Sequence, residues 1–231
     1  MKKNAWLLCL LALALCADSL PAVGQQPVFF SDLGSGDNVY NCCEGWTVSG
    51  NGTIGTYFVA ANEFTAGASG PVFQIDIGIG YVTGTNSFFA ALYTADGDQP
   101  GTLIQQWNNL ASNTDYGGCC GLVTITSIFG VTLTQGTNYF LVVGPMNLND
   151  TTWGAWNLNN QGVNGLDLYA NTFCQNGSGN GCDWTNNGTQ TLGAFDVLGL
   201  CCETVPEPSS VVLLGTGLVA VFGRIGWKFV R

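Results

Sequence analysis

Phe73-Gln74-Ile75-Asp76-Ile77-Gly78-Ile79-Gly80-Tyr81 decides the fold class. Large apolar residues alternate with polar or small ones over nine positions, the period of a half-buried β-strand and not of a helix. Phe73, Ile75, Ile77, Ile79 and Tyr81 should face the core, and Asp76 should lie on the polar side. Working outward, residues 88–94, 102–107, 122–128, 139–143, 152–157 and 192–198 are further runs rich in β-branched and aromatic residues. Turn signals separate them: Asp96-Gly97-Asp98-Gln99-Pro100-Gly101, Gln135-Gly136-Thr137-Asn138 and the glycine-rich 176–181. Between the two apolar ends of the chain no long segment repeats at 3.6 residues. The expectation is therefore an all-β domain over 25–204, an antiparallel β-sandwich of jelly-roll type.

Charge narrows the function. The 231 residues carry 15 acidic and 5 basic side chains and no histidine. Every cation lies at an end: Lys2 and Lys3, then Arg224, Lys228 and Arg231. A body without Lys or Arg cannot neutralise phosphates, which argues against nucleic acid as a partner and against phosphoryl transfer. Without His it cannot build a Ser-His-Asp triad or a histidine-ligated zinc site.

Both ends read as addresses. Lys2-Lys3, the apolar run 5–17 and the small residues Ala22 and Gly24 form a secretory signal peptide over 1–24. At the other end, Val205-Pro206-Glu207-Pro208-Ser209-Ser210 leads into an apolar stretch beginning at Val211 and a basic end. If Arg224 snorkels, residues 211–230 approach the length needed to cross a bilayer, with Arg224, Lys228 and Arg231 kept inside.

These C-terminal residues resemble the PEP-CTERM sorting signal of Gram-negative bacteria, over 205–231. The resemblance implies that Pro206, Glu207 and Pro208 are recognised by an exosortase, a membrane protease that removes the tail. It also implies an exported precursor held in the inner membrane, then a cell-surface or matrix protein. The body resembles the choice-of-anchor R domain through Phe29-Phe30-Ser31-Asp32-Leu33-Gly34, Gly45-Trp46-Thr47-Val48, Ala91-Leu92-Tyr93-Thr94, Tyr139-Phe140-Leu141-Val142 and Thr152-Trp153-Gly154-Ala155-Trp156-Asn157. That family brings no assigned activity.

Ten cysteines less Cys9 and Cys16 of the leader leave Cys42, Cys43, Cys119, Cys120, Cys174, Cys182, Cys201 and Cys202 in the body. Export makes these disulfide candidates. Cys174 and Cys182 flank a glycine-rich loop and are expected to close it. The three adjacent pairs are expected to bond outward, each to the other two, which would gather them in one cluster. A thiolate metal site is the competing reading.

For chemistry, no local motif pairs two carboxylates, as a glycan-active hydrolase would require. The expectation is a non-enzymatic protein with no cofactor beyond a structural calcium. Asp96 and Asp98, around Gly97, could hold such an ion or simply shape a hairpin turn. Trp46, Trp107 and Trp184 are candidate stacking planes for exopolysaccharide. Trp153 and Trp156 lie three apart in a strand and so on opposite faces, which puts one of them in the core.

Overall fold

The structure, a computed structural model, describes residues 26–34, 36, 40–171 and 182–200. The signal peptide, the 211–230 helix, Arg224, Lys228, Arg231, Pro206, Glu207, Pro208, Cys174, Cys201 and Cys202 all lie outside the described residues. Among the described residues no helix is long and apolar enough to cross a membrane.

The described chain is all-β, with a single helical turn, α1 (Asn51–Ile54). Fifteen strands follow in order: β1 (Val28–Ser31), β2 (Asn41–Ser49), β3 (Val59–Thr65), β4 (Gly70–Ile77), β5 (Ile79–Thr83), β6 (Phe88–Asp96), β7 (Gln99–Leu110), β8 (Thr114–Asp115), β9 (Val123–Ile125), β10 (Thr132–Leu133), β11 (Asn138–Pro145), β12 (Trp153–Leu158), β13 (Asn164–Ala170), β14 (Trp184–Thr191) and β15 (Phe195–Gly199). They form three sheets. One runs β14-β13-β3-β11-β6-β7, another β1-β15-β4-β10 with β9 also on β4, and the last β2-β12-β5-β8. Pairing is antiparallel except for the short β5–β8 contact.

Strand alternation builds the core. In β3, β6 and β11 of the six-stranded sheet, Ala60, Phe64, Ala90, Leu92, Leu141 and Val143 point inward to Ile75, Ile77, Ile79, Trp156, Phe195 and Val197 of the other two sheets. The alternate residues Val59, Ala61, Ala91, Tyr93, Phe140 and Val142 form a second cluster on the opposite face, joined by Tyr57 and Leu168. Such near-continuous apolar strands are buried on both sides.

The stretch that decided the class is not one strand. It divides at Gly78 into β4 and β5, which belong to different sheets, so the chain turns a corner of the sandwich there. Ile75, Ile77 and Ile79 are fully buried as expected, but Phe73 is 42% exposed. The reason is a bulge: Val72 faces Gly199 and Gln74 faces Leu198, leaving Phe73 as the extra residue and reversing the phase. Asp76 departs too. Expected on a solvated face, it is buried, with Thr124 and Gln74 donating to its carboxylate.

The expected run 192–198 also divides. Residues 192–194 leave the ladder between β14 and β15, and Leu192 bonds instead to Val163 and Asn159. Here a glycine is obligatory: a Cβ on Gly193 would sit 2.5 Å from the Trp156 indole. Of the two nearby tryptophans, Trp156 is the core one, its Nε1 donating to the Ala194 carbonyl, and Trp153 is half-buried.

Candidate functional site

A concavity of about 200 Å³ opens where β2 of the four-stranded sheet passes the β3, β13 and β14 end of the six-stranded sheet. Trp46, Phe58 and Tyr169 supply aromatic walls, and Asp167, Asn187 and Thr47 supply polar ones. Register explains the gathering. Tyr169 lies opposite Ala60 and Asp167 opposite Asn62, so both side chains share the inward face of the six-stranded sheet. Phe58 precedes β3 by one residue, and its ring meets that of Tyr169 at 6.0 Å and 52°. Trp46 is fixed from across the cleft, because its indole N–H donates to the Thr191 carbonyl at 3.1 Å.

The polar floor is ordered in two steps. Asn62, fully buried, accepts the Gly193 N–H at 2.6 Å, which fixes its amide so that Nδ2 donates to Asp167 Oδ1 at 2.7 Å. Asn187, only half-buried, donates to the other oxygen at 2.6 Å. Burial is the largest influence on Asp167 and outweighs these two bonds, so its pKa is pushed up to about 6. The result is a buried carboxylate, 1% exposed, that accepts from two amides in the cleft wall beside three aromatic rings. Aromatic faces beside a polar edge offer stacking planes together with hydrogen-bonding groups.

Of the three tryptophans expected to stack on glycan, only Trp46 reaches the cleft. Trp107 is a correction: it lies opposite Ala90 on the inward face, is buried at 5% exposure, and donates to the Ser127 carbonyl. Trp184 lies opposite Ala170, whose neighbour is Val59, so it covers the second apolar cluster on the far face. Tyr169 and Phe58 were not singled out from sequence. Their only signal is an aromatic residue in a β-run, which the core shares.

Asp96 and Asp98 flank Gly97 in the two-residue β6–β7 turn and are exposed. Gly97 has φ +60°, the left-handed conformation such hairpins require at their first central residue, so the turn itself accounts for this sequence. Among the described residues no third His, Cys, Asp or Glu joins them to form a metal-ligating group.

The cysteines correct one expectation. Cys119 and Cys120 bond to each other, across a cis peptide, where each adjacent pair was expected to bond outward. Cys42 and Cys43 are free thiols. Two of the adjacent pairs nevertheless meet: the sulfurs of Cys42, Cys119 and Cys120 lie within 4.8 Å of one another. The backbone brings them there, as Gly117 N–H donates to the Cys42 carbonyl and the Tyr40 hydroxyl to the Gly121 carbonyl. Cys182 is disulfide-bonded.

Residues 204–226 match the PEP-CTERM protein-sorting motif. The match contains Pro206, Glu207, Pro208 and Arg224, and it implies an exported chain with a membrane-associated precursor that exosortase processes. Lys228 and Arg231 lie beyond it. No curated protein matches the chain.

Proposed function

We propose that this exosortase-targeted protein is a non-enzymatic component of the cell surface or extracellular matrix whose β-sandwich holds exopolysaccharide in the cleft between Trp46 and Tyr169. The carrying observation is that cleft: three aromatic rings around one doubly bonded carboxylate, in a body whose sorting motif directs it outside the cell. The same proposal includes removal of a signal peptide over 1–24, a transient membrane helix over about 211–230 and cutting at the Pro206-Glu207-Pro208 element. It also reads the body as a jelly-roll-type choice-of-anchor R domain.

A glycan-active hydrolase is the second reading, and Asp167 favours it, since a pKa near 6 suits a general acid. Glycoside hydrolysis needs a second carboxyl about 5–9.5 Å away. Among the described residues lining the cleft Asp167 is the sole carboxyl, which favours retention over cleavage.

Glycan-array binding and affinity electrophoresis of wild type, Trp46→Ala and Tyr169→Ala test the proposal. Retention should fall about tenfold in each variant, the scale of one lost stacking contact. Unchanged retention in both variants removes the cleft assignment. Release of new reducing ends that stops in Asp167→Asn would establish the hydrolase instead.

A further inference from the structure

A second group of acids, none of them lining the cleft, lies at the end of β1. Asp32 is 1% exposed and Asp196 1% exposed, and Asp76 beside them is also buried. The ladder places them in a row. Ser31 faces Asp196 across the β1–β15 pair, and Asp196 faces Asp76 across the β15–β4 pair. Beyond Ser31 the side chain of Asp32 substitutes for the backbone: its N–H donates to the Phe195 carbonyl, while the Phe195 N–H donates to Asp32 Oδ1 at 2.7 Å. That bond ties the carboxylate to β15 at Phe195, the residue before Asp196.

The three carboxylates differ in what they are given. Both oxygens of Asp76 are occupied, by the Thr124 hydroxyl and the Gln74 amide. Asp196 Oδ1 accepts the Asp76 N–H at 3.2 Å. Asp32 Oδ2 is buried and accepts no hydrogen bond. A buried carboxylate oxygen left in this way is costly unless a proton or cation reaches it. Among the described residues no side chain can supply the charge, because none of them is Lys, Arg or His.

We propose that Asp32 and Asp196 together bind a calcium ion at the end of β1, beside the small apolar cluster of Leu33, Tyr40 and Ala194. Calcium suits the donors: hard oxygens from two carboxylates in an irregular strand end, where its flexible coordination accepts backbone carbonyls and water as well. Magnesium demands a near-ideal octahedron and gives up water reluctantly, so it fits such a place poorly. The ion would tie the first strand of the body to the last. The competing occupant is a proton, since burial above all, with a smaller contribution from the Asp196 charge, already raises Asp32 to about 8.

The test is calcium titration of the EDTA-treated full-length protein, followed by calorimetry and by melting temperature. Calcium should bind with a dissociation constant of about 10⁻⁴–10⁻³ M, the range of extracellular modules, and raise the melting temperature. Magnesium should bind at least about tenfold more weakly. Asp32→Asn and, as an independent variant, Asp196→Asn should each weaken binding about tenfold or more, while the Asp96→Asn/Asp98→Asn double variant should leave it unchanged. Three results would overturn the proposal. They are no binding by wild type up to about 10 mM calcium, a concentration well above that range, binding that survives both single variants, and binding lost on changing Asp96 and Asp98. The first of these would mean that a proton, not a metal, neutralises Asp32.

Discussion

Replacing Asp167 by Asn should separate what this carboxyl costs the fold from what it offers a ligand. The group titrates near 3.8 in an unfolded chain and near 6 in the folded one, because burial disfavours its charge. The folded protein therefore holds a proton that the unfolded chain has released between those values. Its stability falls as pH climbs from about 4 to about 6 and stays lower above. The gap of 2.2 units, from 3.8 to about 6, corresponds at 1.36 kcal/mol per unit to about 3 kcal/mol. Relaxation of the surroundings of the buried group takes part of this, leaving about 2–3 kcal/mol. Asn is a fair mimic of the protonated form. Its oxygen can keep the Asn62 donor, which Gly193 locks, and its NH₂ can face Asn187 once that half-buried amide turns over. Urea unfolding of wild type and Asp167→Asn at pH 4, 5, 6 and 7 measures the difference, which cancels the titration of Asp32 and Glu63 common to both. The variant should match wild type at pH 4 and exceed it by about 2–3 kcal/mol at pH 7. Glycan retention by wild type should move the other way, rising through pH 6 as the acceptor ionises. A stability difference that stays constant from pH 4 to pH 7 would falsify the account of Asp167.

Other outcomes follow from single features of the sandwich and its tail. Trp156→Ala, at a fully buried indole where all three sheets meet, should cost about 3–5 kcal/mol in urea unfolding, and a loss below about 1 would show that Gly193 and its neighbours close the space. Alkylation before non-reducing peptide mapping should label Cys42 and Cys43 and spare Cys119 and Cys120; a peptide linking 42–43 to 119–120 would refute that pairing. Changing Pro206, Glu207 and Pro208 to Ala should hold the longer form in the membrane fraction, and intact mass of surface material still containing Trp227 would argue that the tail is kept.

Alternation made Ile75, Ile77 and Ile79 legible because each strand buries one face locally, whichever strand lies beside it. Phe73 was misread because a bulge depends on the partner strand: nothing near residue 73 says that Val72 must meet Gly199. The corner at Gly78 is hidden for the same reason, since both flanking segments are good strands and only their partners differ. Trp107 and Trp46 look alike in sequence. What separates them is that one lies opposite Ala90 in mid-sheet and the other at a sheet border. Tyr169 and Asp167 reach Trp46 through pairings that span more than a hundred residues, which no local pattern can encode. The carboxyl group at Asp32 stood in plain view, but its burial is a property of β15, far along the chain.

The pairing of β1 with β15 sets an order of events. The five-stranded sheet cannot close until its final member has been synthesised and has reached the same compartment as its first, so β4 waits with one long edge bare. Closing so wide a loop is slow relative to forming a local hairpin such as β6–β7. A chain exported in extended form through a pore would be helped by this lag, since premature compaction would jam it. Completion of the domain would then coincide with emergence of residue 200, shortly before the sorting motif, and the motif would be presented only after the rest of the body had crossed.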